Sequence, residues 1–253
     1  MTDWRPLKIK DLGRVVTGKT PPTAITELFD GAELFVSPKD LNWDQYYVYE
    51  TETRVSEKAL AKFKNQVLPQ NSVMFTSLSF AFGKMGIVSR PSLTNQQITS
   101  IIVNKDHDFR FVFYLLKAYS PIIFSYNSGI DTPIVPKSVF EGIGVVCPPI
   151  SEQRKIAAIL SAYDDLIANN QRRIALLEHM AEEIYREWFV RLRFPGYEHV
   201  KFEKGIPRGW EFDVAAHFFG HVKGKSYGGD ELSENSDHMP FITLKSCNYS
   251  ARF

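Results

Sequence analysis

The chain has 253 residues, 44% hydrophobic and 13% aromatic, and its 30 Lys and Arg against 29 Asp and Glu leave a net charge of +1. This is an ordinary globular composition with room for more than one domain, without the overall basicity that marks many nucleic-acid binders. No signal peptide or membrane-length apolar run is visible. The two isolated cysteines, Cys147 and Cys247, make neither a disulfide framework nor a metal knuckle, so a reducing, cytoplasmic setting with no membrane partner is expected.

In chain order, Trp4 to Pro22 reads as a short strand or helix entry and then a loop, and a strand-like run follows around Phe35. Ser56 to Lys64 predicts a short helix capped by Ser56, and Leu68 to Ser72 a turn into the strand Val73-Met74-Phe75. Glycines at 83 and 86 punctuate a second turn before Ile87-Val88, and Gln97 to Val103 is again β-rich. Asp108 to Tyr119 reads as a buried helix, Ser125 to Pro136 as a polar loop, and Ile143 to Val146 as a last strand. Together these predict an α+β domain of many short strands over residues 1–150. Between Lys58 and Lys105 there is no Asp or Glu. That could make a positive surface for phosphate, although acid-free stretches also arise in buried sheets.

Ser151 to Arg191 contains no Gly and no Pro, which predicts one unbroken helix of roughly 60 Å. Ser151 would be its N-cap, with Glu152 in the first turn. Its apolar residues fall into a heptad. One seam takes Leu160, Ile167, Ile174, Ala181 and Trp188; the other takes Ile156, Tyr163, Asn170, Leu177 and Ile184. That is a coiled-coil pattern, and Asn170 within it can fix register and partner number. The competing reading is a long core helix within one domain. Nothing else in the chain offers a matching seam, so the partner helix is expected on another chain or in sequence beyond this one.

After the helix the chain begins again. A gapless shift of the sequence aligns Trp4 with Trp210, Val16 with Val222, Gly18-Lys19-Thr20 with Gly224-Lys225-Ser226 and Phe35 with Phe241. The same shift puts Val36 on Ile242, Ser37 on Thr243, Lys39 on Lys245 and Asn42 on Asn248. The unit is therefore a domain (residues 1–150) plus a spacer helix (151–194), repeated in tandem, with residues 204–253 the start of a second domain.

Most candidate chemistry fails on context. Gly13 to Thr20 matches the phosphate-binding loop GxxxxGKT letter for letter. That mechanism needs an apolar strand before the loop and a helix starting at Lys-Thr, and Pro21-Pro22 obstruct the helix. Cys147-Pro148-Pro149-Ile150 lacks the polar and aromatic residues of an amino-methyltransferase motif. His217 and His221 have helical spacing without the Glu of HExxH, and no Ser-His-Asp set stands out. Nothing argues for catalysis.

Several stretches resemble the DNA-specificity subunit of type I restriction-modification enzymes. They are Lys39-Asp40-Leu41 after a strand, Gly83 to Gly86, Thr94 to Gln97 leading into a strand, Pro136-Lys137 before Phe140, and Pro148 to Gln153 opening a helix through Ile156. Gly209-Trp210 restarting the unit fits as well. The resemblance implies a target-recognition domain followed by a spacer helix, two such units reading one split site on double-stranded DNA. It implies a methyltransferase (modification) subunit clamped by the spacers, and a restriction/motor subunit in the full complex. It places S-adenosylmethionine and ATP with Mg²⁺ in those partners, leaving this chain non-catalytic and without a cofactor or metal of its own.

A chain with one complete unit departs from the family's two, and a homodimer through Ser151 to Arg191 would read a symmetric split site. For DNA contact the residues suggest Lys19, Lys39, Lys84 and Arg90 against phosphates, and Asn95, Gln96 and Gln97 as amides suited to adenine edges. Thr76, Ser77, Tyr126, Asn127 and Ser128 are further polar candidates. The alternatives are a coiled-coil adaptor for protein partners and a nucleotide-binding protein using Gly13 to Thr20.

Overall fold

The computed structural model describes residues 4–43, 46–77, 81–128, 134–225 and 228, and by contact density the chain divides into residues 1–171 and 172–253. In the first unit the strands Gly13–Thr17 (β2), Ile98–Val103 (β9), Val73–Thr76 (β6), Met85–Val88 (β7) and Tyr47–Val48 (β4) form a five-stranded sheet in the order β2-β9-β6-β7-β4. Its pairs are antiparallel except β4–β7. A three-stranded sheet joins Thr53–Val55 (β5), Glu33–Val36 (β3) and Ser92–Thr94 (β8), with β3 and β8 parallel.

The side-chain period of two decides which core each residue enters. Val15, Val73, Phe75, Ile87 and Ile101 point into one cluster with Phe111, Val112, Leu116 and Ile123 of the helix Phe109–Ser125 (α3) and Phe140 of the helix Lys137–Gly142 (α4). Their neighbours Val16, Met74, Val88 and Ile98 point the opposite way and meet Leu34 and Val36 of β3. Phe35 and Leu93 turn to a third cluster with Val55, Ala59 and Phe63, under the helix Glu57–Lys62 (α2). The five-stranded sheet is therefore covered on both faces, and β6 and β7 are buried at every residue rather than at alternate ones. The acid-free stretch from Lys58 to Lys105 is largely this buried β structure. Its Lys58 pairs with Glu27 at 2.8 Å instead of standing free.

The phosphate-loop octet is a strand and a close-packed turn. Gly13 to Thr17 pair residue by residue with Val103 to Thr99. A Cβ on Gly13 would lie 2.2 Å from the Ile102 carbonyl oxygen, and one on Gly18 would lie 2.0 Å from that of Asn95. These glycines allow backbones to touch; they do not cradle phosphate. Ser56 does occupy the N-cap position of α2, but its hydroxyl donates to the Glu27 carbonyl instead of capping. The helix expected over Asp108 to Tyr119 runs six residues further, through Pro121, and Asp108 caps it by accepting from Arg110 and Phe111 N–H.

The long helix, Ile150–Tyr185 (α5), has 36 residues, about 54 Å at 1.5 Å per residue. It starts before Ser151, so Ser151 is not its N-cap; Glu152 is in the first turn, as expected. A π-turn, Arg186–Val190, follows, closed by Arg191 N–H donating to the Arg186 carbonyl. This extra residue per turn takes Trp188 out of the uniform heptad register.

The strand Arg5–Lys8 (β1) pairs antiparallel with Gly144–Cys147 (β10), joining the first strand to the one that leads into α5. The helix is seated by Gln153, Ala157 and Ser161, a stripe at fourfold spacing that is fully buried. Gln153 accepts from Asp108 N–H at 3.1 Å, donates to the Pro148 carbonyl at 2.8 Å, and lies 3.1 Å from His107 Nδ1. Further along, Tyr114 donates to Asp164 at 2.5 Å. Ile156 also leans on the domain core, whereas Leu160, Tyr163, Ile167, Ile174, Leu177 and Ile184 are exposed, Tyr163 by 66%. Asn170 and Ala181 are exposed too.

In the second unit, Phe202–Glu203 and Ile206–Pro207 make a two-residue hairpin, and Trp210 stacks on Phe194 at 5.7 Å. The expected second copy is not reproduced over residues 219–223, which align with the strand β2 but hold no regular structure. Its matches at Phe241, Ile242, Thr243, Lys245 and Asn248 lie outside the described residues. Burial pushes the Cys147 thiol up to about 11, an inert packing group; Cys247 lies outside the described residues.

Gly13→Ala and Gly18→Ala should each destabilise the fold by roughly 1–3 kcal/mol in thermal or urea unfolding, through backbone overpacking. Lys19→Ala should leave stability almost unchanged. Burial, then the Asp164 carboxylate, holds the Tyr114 phenol well above its ordinary range, and burial does the same for Tyr46. A raised phenol stabilises the fold below the unfolded value of about 10 and loses that contribution as pH rises above it. Stability should therefore fall steeply above about pH 10. Tyr114→Phe should soften that fall while lowering stability at pH 7 by about 1 kcal/mol.

Candidate nucleic-acid interface

Because both faces of the five-stranded sheet are covered, the polar groups that remain open lie at strand ends. Strand register brings one set of ends together. β2 ends at Thr17 opposite Thr99, and β6 ends at Thr76 opposite Ile98. β7 begins at Met85 opposite Phe75, and the parallel β3 and β8 finish side by side at Val36 and Thr94. At this edge each ladder is extended by one bond, Asn95 N–H donating to the Val36 carbonyl beyond β8–β3 and Gly18 N–H to that of Ile98 beyond β2–β9, and the turn Asn95 to Gln97 leads from one sheet into the other.

The turns leaving this edge carry most of the residues that the sequence suggested for DNA. Lys19 is exposed, with its ammonium 5.7 Å from the centre of the Phe63 ring. Lys39 is exposed in the turn after β3. There Asp40 accepts from Ser37 N–H and hydroxyl and from Glu52 N–H, so the carboxylate beside Lys39 is spent on holding the loop. Lys84 is half-buried, its carbonyl taking Thr76 N–H at 2.9 Å. Asn95, Gln96 and Gln97 form the turn between β8 and β9. Asn95 accepts from Gln97 N–H at 3.0 Å and donates to the Gln97 side chain at 3.2 Å. The exposed Gln96 accepts from the Thr20 hydroxyl at 2.7 Å.

Tyr126, Asn127 and Ser128 reach the same edge indirectly. Ser128 N–H donates to the Ile134 carbonyl, and Val135 N–H donates to that of Ser77. Tyr126 is 51% exposed, while Asn127 turns back to the Phe124 carbonyl at 2.7 Å.

Three suggested residues do not join this surface. Thr76 and Ser77 are buried in the sheet end, where Ser77 faces Thr99 at 3.3 Å, so they support the edge from below. Arg90 lies two residues before β8, at the end opposite Asn95, and its guanidinium donates to the Ala32 carbonyl at 3.0 Å. Thr20, the last residue of the GKT match, joins this surface through its bond to Gln96, which its local sequence does not announce. Trp43, 56% exposed and packed beside Gly83, was also passed over, since nothing in its sequence context marks it.

Among the described residues there is no cluster of three or more metal-ligating side chains and no helix long and apolar enough to cross a membrane. The arrangement offers hydrogen-bond donors, amides and ammonium groups along one sheet edge.

The sequence profile of the type I restriction modification DNA specificity domain matches residues 1–179. The MjaIX type I restriction enzyme specificity subunit of Methanocaldococcus jannaschii is 30% identical over 250 residues, covering 96% of this chain and 58% of that protein. The MjaVIII specificity subunit of the same organism is 27% identical, covering 92% and 53%. This chain thus spans a little over half the length of these relatives. The crystal structure of the type I restriction-modification S subunit from M. genitalium shares the fold with a TM-score of 0.59 at 16% identity, over 78% of this chain and 48% of that one.

Arg90→Ala should lower unfolding stability by about 1 kcal/mol through the lost bond to Ala32. It should leave DNA affinity and its salt dependence as in the wild type, measured by fluorescence anisotropy with duplex DNA.

Proposed function

This chain belongs to the type I restriction-modification DNA specificity family, and on that premise we propose that it recognises a double-stranded DNA target and directs a restriction-modification complex to it, without catalysing a reaction itself. The observation that carries the reading is the convergence of Lys19, Lys39, Lys84 and the Asn95 to Gln97 amides on one sheet edge, three cations against the single nearby carboxylate of Asp40. A neutral chain can bind DNA in this way because what counts locally is the cation set facing the phosphates, not the sum over the molecule.

In this reading the domain supplies sequence preference and α5 supplies attachment. The exposed apolar seam Leu160, Ile167, Ile174, Leu177 and Ile184 would pair with another helix, that of a second copy or of a second unit, to hold two recognition domains over a split site. A methyltransferase subunit would dock on the helices and a restriction/motor subunit would complete the assembly. S-adenosylmethionine would belong to the first and ATP with Mg²⁺ to the second, so this chain would bind neither. Residues 204–253 would begin the second recognition domain. A cytoplasmic location follows from the substrate.

Lys84→Glu tests the reading. It should weaken duplex binding and reduce the slope of log affinity against log salt by roughly 1 or more. An unchanged slope would remove Lys84 from the interface, and unchanged slopes for Lys19→Glu and Lys39→Glu as well would remove the edge.

A further inference from the structure

The Thr20–Gln96 contact has a directional consequence. The loop after β2 and the turn before β9 lie back to back. Gly18 N–H donates to the Ile98 carbonyl, and the Gly18 Cα is so near Asn95 that a methyl there would lie 2.0 Å from its carbonyl oxygen. Asn95 N–H is held in turn by the Val36 carbonyl. On this fixed base, the Thr20 hydroxyl donates to Gln96 Oε1 at 2.7 Å. Gln96 Nε2 makes no bond to a described residue, and the side chain is exposed.

A free glutamine on DNA can present either end of its amide, and a two-point grip on adenine uses the oxygen and the nitrogen together. Here the Thr20 hydroxyl hydrogen takes one of the oxygen's two lone pairs and turns that oxygen toward the loop after β2. That orients the amide without freezing the whole side chain, and leaves its NH₂ as the outward group. We propose that Thr20 is a positioning residue for base reading: it turns Gln96 into a directed donor for a base edge that presents acceptors in the major groove, guanine O6 and N7 or thymine O4. This rests on the DNA-recognition reading above and names the kind of base edge that the site prefers.

The test is selection of bound sequences from a randomised duplex library by the full chain, for wild type, Thr20→Val, Thr20→Ser, Gln96→Ala and Lys84→Glu. Wild type should favour guanine or thymine at one position. Gln96→Ala should abolish that preference, and Thr20→Val should weaken it roughly tenfold while other positions and the unfolding midpoint hold. Thr20→Ser, which keeps the hydroxyl, should restore it. A Thr20→Val preference equal to wild type, with Gln96→Ala altered, would overturn the positioning role. Unaltered selection by Gln96→Ala, with binding still weakened by Lys84→Glu, would overturn the inference and leave the reading above standing. If wild type enriched no sequence, both would fall.

Discussion

Burial of both faces of the five-stranded sheet is the constraint from which the rest follows. Successive residues of β6, Val73, Met74 and Phe75, go to alternate cores, and the same division runs through β2 and β7. A sheet closed on both faces has no broad surface to offer a ligand. What remains open is the rim, where the turns leave, and the turn from β8 into β9 brings the rims of the two sheets together. That the proposed contact surface is made of edge loops is thus a result of how the core is filled.

The long helix divides its work along its length. At its start the contact with the domain is made by Gln153, Ala157 and Ser161, with Tyr114 and Asp164 adding a polar tie. Small and polar residues suit this place, because Ala157 and Ser161 let the helix backbone come close, and Gln153 satisfies the peptide groups around the start of α3. Ile156 adds a partial apolar contact with the core, while Ile159, Leu160 and Tyr163 face outward beside Arg154 and Lys155.

Much of this was legible from sequence. β6, β7, β9 and β10 lie within a residue or two of where their apolar runs put them, and the forty residues without Gly or Pro did mark the long helix. The boundary errors have physical causes. Ile150 enters the helix because the Pro149 carbonyl accepts from Glu152 and Gln153 N–H, so the first turn is closed one residue before Ser151 could cap it. Long-range matters were hidden from local pattern. Arg90 and Asn95 are five positions apart and look like one group, yet β8 carries them to opposite ends. Thr76 and Ser77 are polar by composition and buried by register. The bond from Thr20 to Gln96 spans 76 positions, and no local signal announces it.

The close approach at Gly18 bears on how such a surface can change over generations. With a backbone carbonyl where a side chain would start, the loop after β2 and the turn before β9 cannot drift apart or exchange lengths independently. The tips, Lys19, Thr20 and Gln96, have side chains that face solvent or one another, so their replacement leaves the core filled. Single substitutions there come at small cost to folding, whereas insertion at the base of either loop must be matched in the other. The edge is thus two loops tied to one another at the base and open to exchange at the tips.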